Sequence, residues 1–68
     1  MICPHCLQGE ILNARIIKTD ELIQICDECD TIWQKSETVS DKTGLFIDTF
    51  MKQRNCSSSW REFDIIKA

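Results

Sequence analysis

The sequence is organised by two short stretches, Cys3-Pro4-His5-Cys6 near its start and Cys26-Asp27-Glu28-Cys29 further along. Nineteen residues separate these two Cys-x-x-Cys pairs. Two pairs about 15–20 residues apart are typical of a zinc site. Four thiolates at ~2.3 Å complete a tetrahedral shell around one Zn²⁺ and leave no position for water or substrate. We therefore predict one structural zinc ion, bound by Cys3, Cys6, Cys26 and Cys29.

The cysteine pairs have three other interpretations. No apolar signal segment follows the first residues, which predicts a cytoplasmic chain whose thiols stay reduced instead of forming disulfides. A thioredoxin-like redox site uses one Cys-x-x-Cys pair in a βαβ framework, whereas this chain has two pairs in only 68 residues. Iron fits a tetrahedral all-thiolate site as zinc does, so the sequence favours zinc but leaves iron open.

The length of the chain indicates why a metal is needed. Its 68 residues predict a single domain, residues 1–68. A domain near this size buries only about 60% of the surface of its unfolded chain. Such a core rarely supplies more than ~3–5 kcal/mol. Metal binding adds folding free energy, because the unfolded chain has no preformed site. We therefore expect the metal-free protein to be partly or wholly unfolded.

The charge of the chain is more negative than its composition suggests. The formal net charge is −3 with neutral cysteines. Four bound thiolates add four negative charges and Zn²⁺ adds two positive ones, which lowers the net charge to about −5. Acidic residues cluster between Lys18 and Lys35, at Asp20, Glu21, Asp27, Glu28 and Asp30. This run is either a solvated face or a surface that steers a basic partner.

Hydrophobic alternation predicts three strands around the cysteines. Period-two alternation and β-branched residues mark the first, from Glu10 to Lys18. The second is expected from Leu22 to Cys26 and the third from Thr31 to Thr38. Three strands are about the minimum for an independently stable sheet. No run of ~18 or more apolar residues is present, so the sequence predicts no membrane span.

The order of these features resembles a zinc ribbon over about residues 1–38. The resemblance is carried by Cys3-Pro4-x-Cys6, a strand segment, Cys26-x-x-Cys29 and a third strand segment. It implies a three-stranded antiparallel zinc ribbon, but it leaves function open because such ribbons serve transcription, translation, enzymes and protein docking. Many ribbons place glycine directly after the second cysteine of each pair. Here Leu7 and Asp30 hold those positions, and Gly9 follows two residues after Leu7.

The period of the pattern changes after a polar linker at residues 36–43. In residues 45–54, one helical stripe is formed by Phe46, Ile47, Phe50 and Met51. We expect a helix that packs this stripe on the sheet, with Asp41 or Thr43 as its N-cap.

Residues 60–68 fit two alternatives. Ser59 and Glu62 match a capping box that would start a short helix, whereas alternating Phe63 and Ile65 fit a strand, which we favour. The predicted fold is a small metal-stabilised α+β protein. A three-stranded antiparallel zinc ribbon (1–38) is followed by one helix and a short C-terminal strand or helix (39–68).

Two further side chains could carry chemistry. His5 could replace a cysteine ligand, but four cysteines already complete the shell, so we expect it to be a non-ligand facing solvent. Cys56 is expected to be an ordinary reduced cysteine, because a reactive thiol needs an electropositive setting. The chain contains neither a carboxylate dyad nor a glycine-rich phosphate loop. The sequence therefore predicts a protein without catalytic residues, not an enzyme.

Two function classes remain, and both are non-catalytic. The first is a protein-binding module whose acidic face meets a basic partner, with Trp33 or Trp60 as an aromatic anchor. By analogy it could be an immunity protein or antitoxin that inhibits a basic nuclease, or a regulatory adaptor. The alternative is a nucleic-acid-binding zinc ribbon, for which only Lys52, Arg54 and Arg61 suggest a basic patch. A sequence pI near 4.9 disfavours this alternative.

Overall fold

A five-stranded antiparallel sheet and one short helix make up the computed structural model, which describes residues 1–66. The strands are β1 (Ile11–Ile16), β2 (Glu21–Cys26), β3 (Thr31–Gln34), β4 (Leu45–Phe46) and β5 (Phe63–Ile66). Helix α1 spans Ile47–Lys52, and a 3₁₀ turn spans Trp60–Glu62. The spatial order of the strands is β4-β3-β2-β1-β5. Within residues 1–66, no helix has the length and apolar character needed to cross a membrane.

The prediction of a three-stranded sheet is wrong, because the second half of the chain adds two further strands to it. Strand β4 pairs with β3 through Thr31 and Phe46, and β5 pairs with β1 through Ile16 and Phe63. The three predicted strands are all present, although the third ends at Gln34 instead of Thr38. The first half of the sequence thus forms the centre of the sheet, and residues 39–66 form both of its edges.

The predicted helix is shorter than expected at both ends. Phe46 has extended backbone angles, φ −63° and ψ 150°, and it pairs with β3, so the helix begins only at Ile47. Phe46 therefore occupies the N-cap position, and no side-chain cap from Asp41 or Thr43 is made. Three members of the predicted stripe, Ile47, Phe50 and Met51, are buried as expected.

The C-terminal segment combines both alternatives. Ser59 Oγ accepts a hydrogen bond from the Arg61 amide at 3.2 Å and caps the 3₁₀ turn, and strand β5 follows directly. The predicted element at 60–68 also included residues 67–68, which lie outside the described residues.

Helix α1 packs beside β3 and β4, and its buried side chains join the main core on one face of the sheet. Because side chains alternate between faces along a strand, every second residue of β1 and β2 lies on the face that carries this core. The buried cluster consists of Ala14, Ile16, Ile23, Ile25, Ile32, Ile47, Phe50, Met51 and Phe63. A second buried cluster of Cys3, Cys26 and Trp33 lies apart from it. Cys26 and Trp33 lie on the opposite face of the sheet, at the end where the cysteines converge.

Candidate metal centre

The four predicted ligands lie close together at one end of the sheet. The Sγ atoms of Cys3, Cys6, Cys26 and Cys29 all lie within 4.8 Å of one another. Cys3 and Cys29 are 3.6 Å apart, and so are Cys6 and Cys26. A tetrahedral site with metal–sulfur bonds of ~2.3 Å has sulfur–sulfur edges of about 3.8 Å, so the donor set fits a metal ion. Sulfurs at 3.6 Å are not disulfide-bonded, since that bond is ~2.05 Å long.

The first cysteine pair is held by its own backbone. We term residues 3–9 the first knuckle. The Leu7 amide donates to the Cys3 carbonyl at 2.9 Å and closes a turn. The His5 amide donates to Cys3 Sγ, and the Gly9 amide donates to Cys6 Sγ, both at a distance of 3.4 Å. These N–H groups stabilise negative charge on the sulfurs, as a thiolate–metal site requires.

The second cysteine pair repeats this arrangement in residues 26–31, the second knuckle. Cys26 Sγ accepts hydrogen bonds from the amides of Glu28 and Cys29, at 3.3 and 3.4 Å. The Thr31 hydroxyl lies 3.2 Å from Cys29 Sγ. Leu7 and Asp30, the residues directly after each pair, both have a φ of 59°. This is the left-handed conformation that glycine adopts most easily, which explains the glycine of the common ribbon pattern.

Gly9 is a further requirement of the site that the sequence analysis did not identify as such. A Cβ at this position would overlap Cys26 Sγ and would lie 2.9 Å from Glu28 Cβ. Gly9 is buried, and its carbonyl accepts a hydrogen bond from the Cys3 amide at 2.8 Å. The missing side chain therefore lets the two knuckles approach each other. The sequence shows that a glycine lies two residues after Leu7, but it does not show that Cys26 Sγ leaves no space for a side chain there.

The surroundings of the sulfurs differ in burial and in charge. Cys3 and Cys26 are fully buried, while Cys6 and Cys29 are partly exposed. Burial raises the pKa of Cys26 to about 12. Hydrogen bonds from the amides of Gln8 and Gly9 lower the pKa of Cys6 to about 6. A divalent cation bound here would dominate both effects, because a coordinating thiol is deprotonated outright.

His5 is not among the converging ligands and is exposed as expected, but it also makes two contacts within the fold. Its Nε2 donates to the Thr43 carbonyl at 2.9 Å, and its ring packs edge-on against Trp33 with centroids 5.5 Å apart. Trp33 Nε1 in turn donates to Thr43 Oγ1 at 3.0 Å. The first knuckle is thus attached to the loop that leads from β3 into β4.

The acidic run is divided by the fold. Asp20 and Glu21 lie at the end of β2 opposite the cysteines, where each pairs with an arginine, Arg15 and Arg54 respectively. Asp27, Glu28 and Asp30 lie in or beside the second knuckle. The run is therefore not one continuous patch, and only its second part lies beside the metal centre.

The two tryptophans predicted as possible anchors and the fifth cysteine differ in their burial. Trp33 is completely buried, so it cannot act as an anchor for a partner, whereas Trp60 is 37% exposed and donates to Asp30 Oδ1 at 3.2 Å. Cys56 packs against the main core, and its thiol lies 3.4 Å from the Arg54 carbonyl.

No family model, curated protein or solved structure matches this chain. The candidate metal centre therefore rests on the arrangement of the chain's own residues. Four close cysteines can hold one metal ion, consistent with a zinc site built from Cys-x-x-Cys pairs.

Proposed function

We propose that this protein is a zinc-ribbon protein-binding module that binds a basic protein partner and performs no catalysis. By analogy in character, it would be an immunity protein or antitoxin that inhibits a basic nuclease, or a regulatory adaptor. The bound metal would be Zn²⁺, with Cys3, Cys6, Cys26 and Cys29 as ligands, and its role would be structural. A shell of four cysteines leaves no coordination position for a substrate.

One observation carries the proposal: the fold brings together two stretches that contain no Lys or Arg. These stretches are residues 1–14 and 19–34. The knuckles of the two stretches meet around the cysteines. The two stretches also carry the carboxylates of Glu10, Asp27, Glu28 and Asp30. A zinc ion with four thiolates has a net charge of −2 and makes this end still more negative. Such a surface attracts cations and raises the rate of association with a basic protein.

The basic residues support this choice over nucleic acid. Of the suggested patch, Arg54 forms two hydrogen bonds with the Glu21 carboxylate, at 2.6 and 2.9 Å. Its charge is thereby neutralised, and Lys52 and Arg61 are left as its only other members. Binding to nucleic acid requires several cations that neutralise phosphates.

The test is affinity capture with the zinc-loaded chain in lysate of the source cells, with and without nuclease treatment. We expect one stoichiometric protein of basic isoelectric point that is retained after nuclease treatment. The purified partner should then bind with an affinity that falls as salt rises. Recovery of nucleic acid alone, or a captured protein that is lost after nuclease treatment, would favour the nucleic-acid-binding alternative.

A further inference from the structure

Leu7 has a conformation and an exposure that folding does not explain. Its φ of 59° is costly for a residue with a Cβ, by roughly 1–2 kcal/mol. Its side chain is 74% exposed and therefore adds little to the core. Glycine would relieve the backbone and remove an apolar side chain from water. A leucine at this turn thus lowers the stability of the fold, and its side chain makes little compensating contact within the chain.

The matching position in the second knuckle shows the contrast. Asp30 has the same φ of 59°, but aspartate tolerates this region better than leucine does. Its Oδ1 accepts a hydrogen bond from Trp60, and its carbonyl accepts one from the Ile47 amide at 2.9 Å. Asp30 therefore connects the second knuckle to the rest of the fold, whereas the Leu7 side chain points away from it.

Leu7 belongs to the most exposed apolar part of the described chain. Among the large hydrophobic residues of 1–66, the three most exposed are Leu7 (74%), Met1 (68%) and Ile2 (53%). All three lie in the N-terminal hairpin, where Ile2 pairs with Glu10. Exposed apolar side chains gathered in one segment and bordered by polar residues indicate an interaction site.

Carboxylates border this apolar surface. Glu10 lies opposite Ile2, and its amide donates to Asp27 Oδ1 at 2.9 Å, which places the second knuckle beside the hairpin. Glu28 is exposed on the same knuckle, and its Cβ lies next to Gly9. The terminal ammonium pairs with Glu10 at 3.1 Å, but both groups are 56% exposed, so water screens the pair and leaves Glu10 accessible to a basic partner.

We propose that Leu7, Met1 and Ile2, bordered by Glu10, Asp27 and Glu28, form the docking surface for a basic segment of a partner protein that presents an apolar side chain. We name this the hairpin surface. The apolar residues supply contact area, and the carboxylates pair with the partner's lysines or arginines. This inference rests on the proposed function, and it specifies the place and chemistry of docking.

The test uses the zinc-loaded full chain and two synthetic peptides of equal length and charge. One alternates lysine with leucine, and the other alternates lysine with serine. Titrations followed by amide chemical shifts report both the affinity and the location of binding. We expect the largest shifts at residues 2, 7, 10 and 28, and about tenfold tighter binding of the lysine–leucine peptide. Equal affinity of the two peptides, or largest shifts elsewhere, would overturn the proposal.

Matched variants separate a specific surface from general attraction between charges. The double variant Glu10→Gln/Glu28→Gln removes two negative charges and should weaken binding about fivefold. The control Asp20→Asn/Asp64→Asn removes two charges beside Arg15, at the other end of β1, and should change affinity less than about twofold. Equal effects of both pairs would contradict a localised surface.

Leu7 allows a test in which folding and binding change in opposite directions. Leu7→Gly should weaken binding about tenfold and still raise the melting temperature by about 4–8 °C, because the left-handed backbone is relieved. Leu7→Ala should weaken binding without that rise, since alanine retains a Cβ. Full binding by both variants would overturn the role of Leu7.

The same variants distinguish this inference from the proposed function. If the captured basic partner binds the Leu7 and Glu10/Glu28 variants as tightly as the natural chain, the function stands and the hairpin surface is wrong. If nucleic acid is the only captured species, the proposed function itself fails. Self-association of the natural chain that Leu7→Gly abolishes would identify a second copy as the occupant and would likewise overturn the proposal.

Discussion

The backbone of Gly9 lies directly against the Sγ atom of Cys26. A Cβ on residue 9 would overlap that sulfur, and it would also come within 3.0 Å of Asp27 Oδ1. Both neighbours belong to the second knuckle. The contact between the two knuckles, and with it the distance between the two cysteine pairs, therefore depends on a residue without a side chain.

Replacing Gly9 should damage the metal centre. We expect Gly9→Ala to lower stability by about 1–3 kcal/mol, since overpacking of this size shifts Cys26 or the first knuckle. Metal affinity should fall as well, because the displaced sulfur leaves the tetrahedral geometry. Thermal melts and competition with a metallochromic chelator measure the two effects. Gln8→Ala, at the exposed neighbouring position, serves as the control. Unchanged metal affinity in Gly9→Ala would contradict the tight approach of the knuckles.

Removal of the metal should unfold most of the protein. Structural zinc contributes about 10–16 kcal/mol of apparent binding free energy, comparable to or larger than the ~5–15 kcal/mol stability of a typical domain. We expect a strong chelator to abolish the cooperative melt and most strand ellipticity, and added Zn²⁺ to restore them. Elemental analysis of the purified protein identifies the metal, and a colourless sample with one zinc is the expected result. A melt that stays cooperative after complete chelation would argue against a structural role.

The Glu21–Arg54 pair should stabilise the fold more than the exposed ion pairs do. Glu21 and Arg54 are 29% and 16% exposed, and Arg54 also stacks over the Phe50 ring at 3.6 Å. The hydrogen bonds to Glu21 raise the pKa of Arg54, because the carboxylate stabilises the charged guanidinium. We expect Glu21→Gln to cost about 1–2 kcal/mol in denaturant unfolding.

A suitable control for that pair is the ion pair between Arg15 and Asp20, in which Asp20 is 79% exposed. Asp20→Asn should cost less than about 0.5 kcal/mol, because exposed pairs are screened by water and salt. Equal losses in the two variants would show that the partial burial of Glu21–Arg54 adds nothing.

Removing the imidazole of His5 should leave the metal stoichiometry unchanged. We expect His5→Ala to bind one metal ion, because four sulfurs complete the shell without it. It should lose about 1 kcal/mol of stability, since the hydrogen bond to Thr43 and the contact with Trp33 are lost. Cys29→Ser is the comparison that should lose metal. Loss of metal from His5→Ala to the same extent would identify His5 as a ligand.

The central part of the fold could be predicted from local patterns. The cysteine spacing indicated four ligands, and their sulfurs do converge. Alternation located β1 and β2 to within a few residues, since a half-buried strand has a period of two. The buried helical stripe of Ile47, Phe50 and Met51 could also be predicted, because its helical spacing lies within one short segment. The identity of the metal, the number of domains and the function stay predictions.

The pairing of the two edge strands could not be predicted in this way. Leu45 and Phe46 continue the helical pattern in sequence, yet they form β4 because Phe46 pairs with Thr31 across the sheet. The strand favoured at β5 is confirmed, but its pairing with β1, almost fifty residues earlier in the chain, has no signal in the local alternation. A two-residue strand such as β4 is too short to show a hydrophobic period, so only its tertiary partner decides its conformation.

The sequence by itself determined which side chains can bind a metal and which segments form the centre of the sheet, because ligand chemistry and side-chain alternation are local properties. Only the tertiary structure decided the rest. It divided the acidic run between two ends of β2, required a glycine at position 9 opposite Cys26, and left Leu7 exposed in a left-handed turn. Each of these depends on which atoms meet across the fold, and local sequence spacing does not encode those distances.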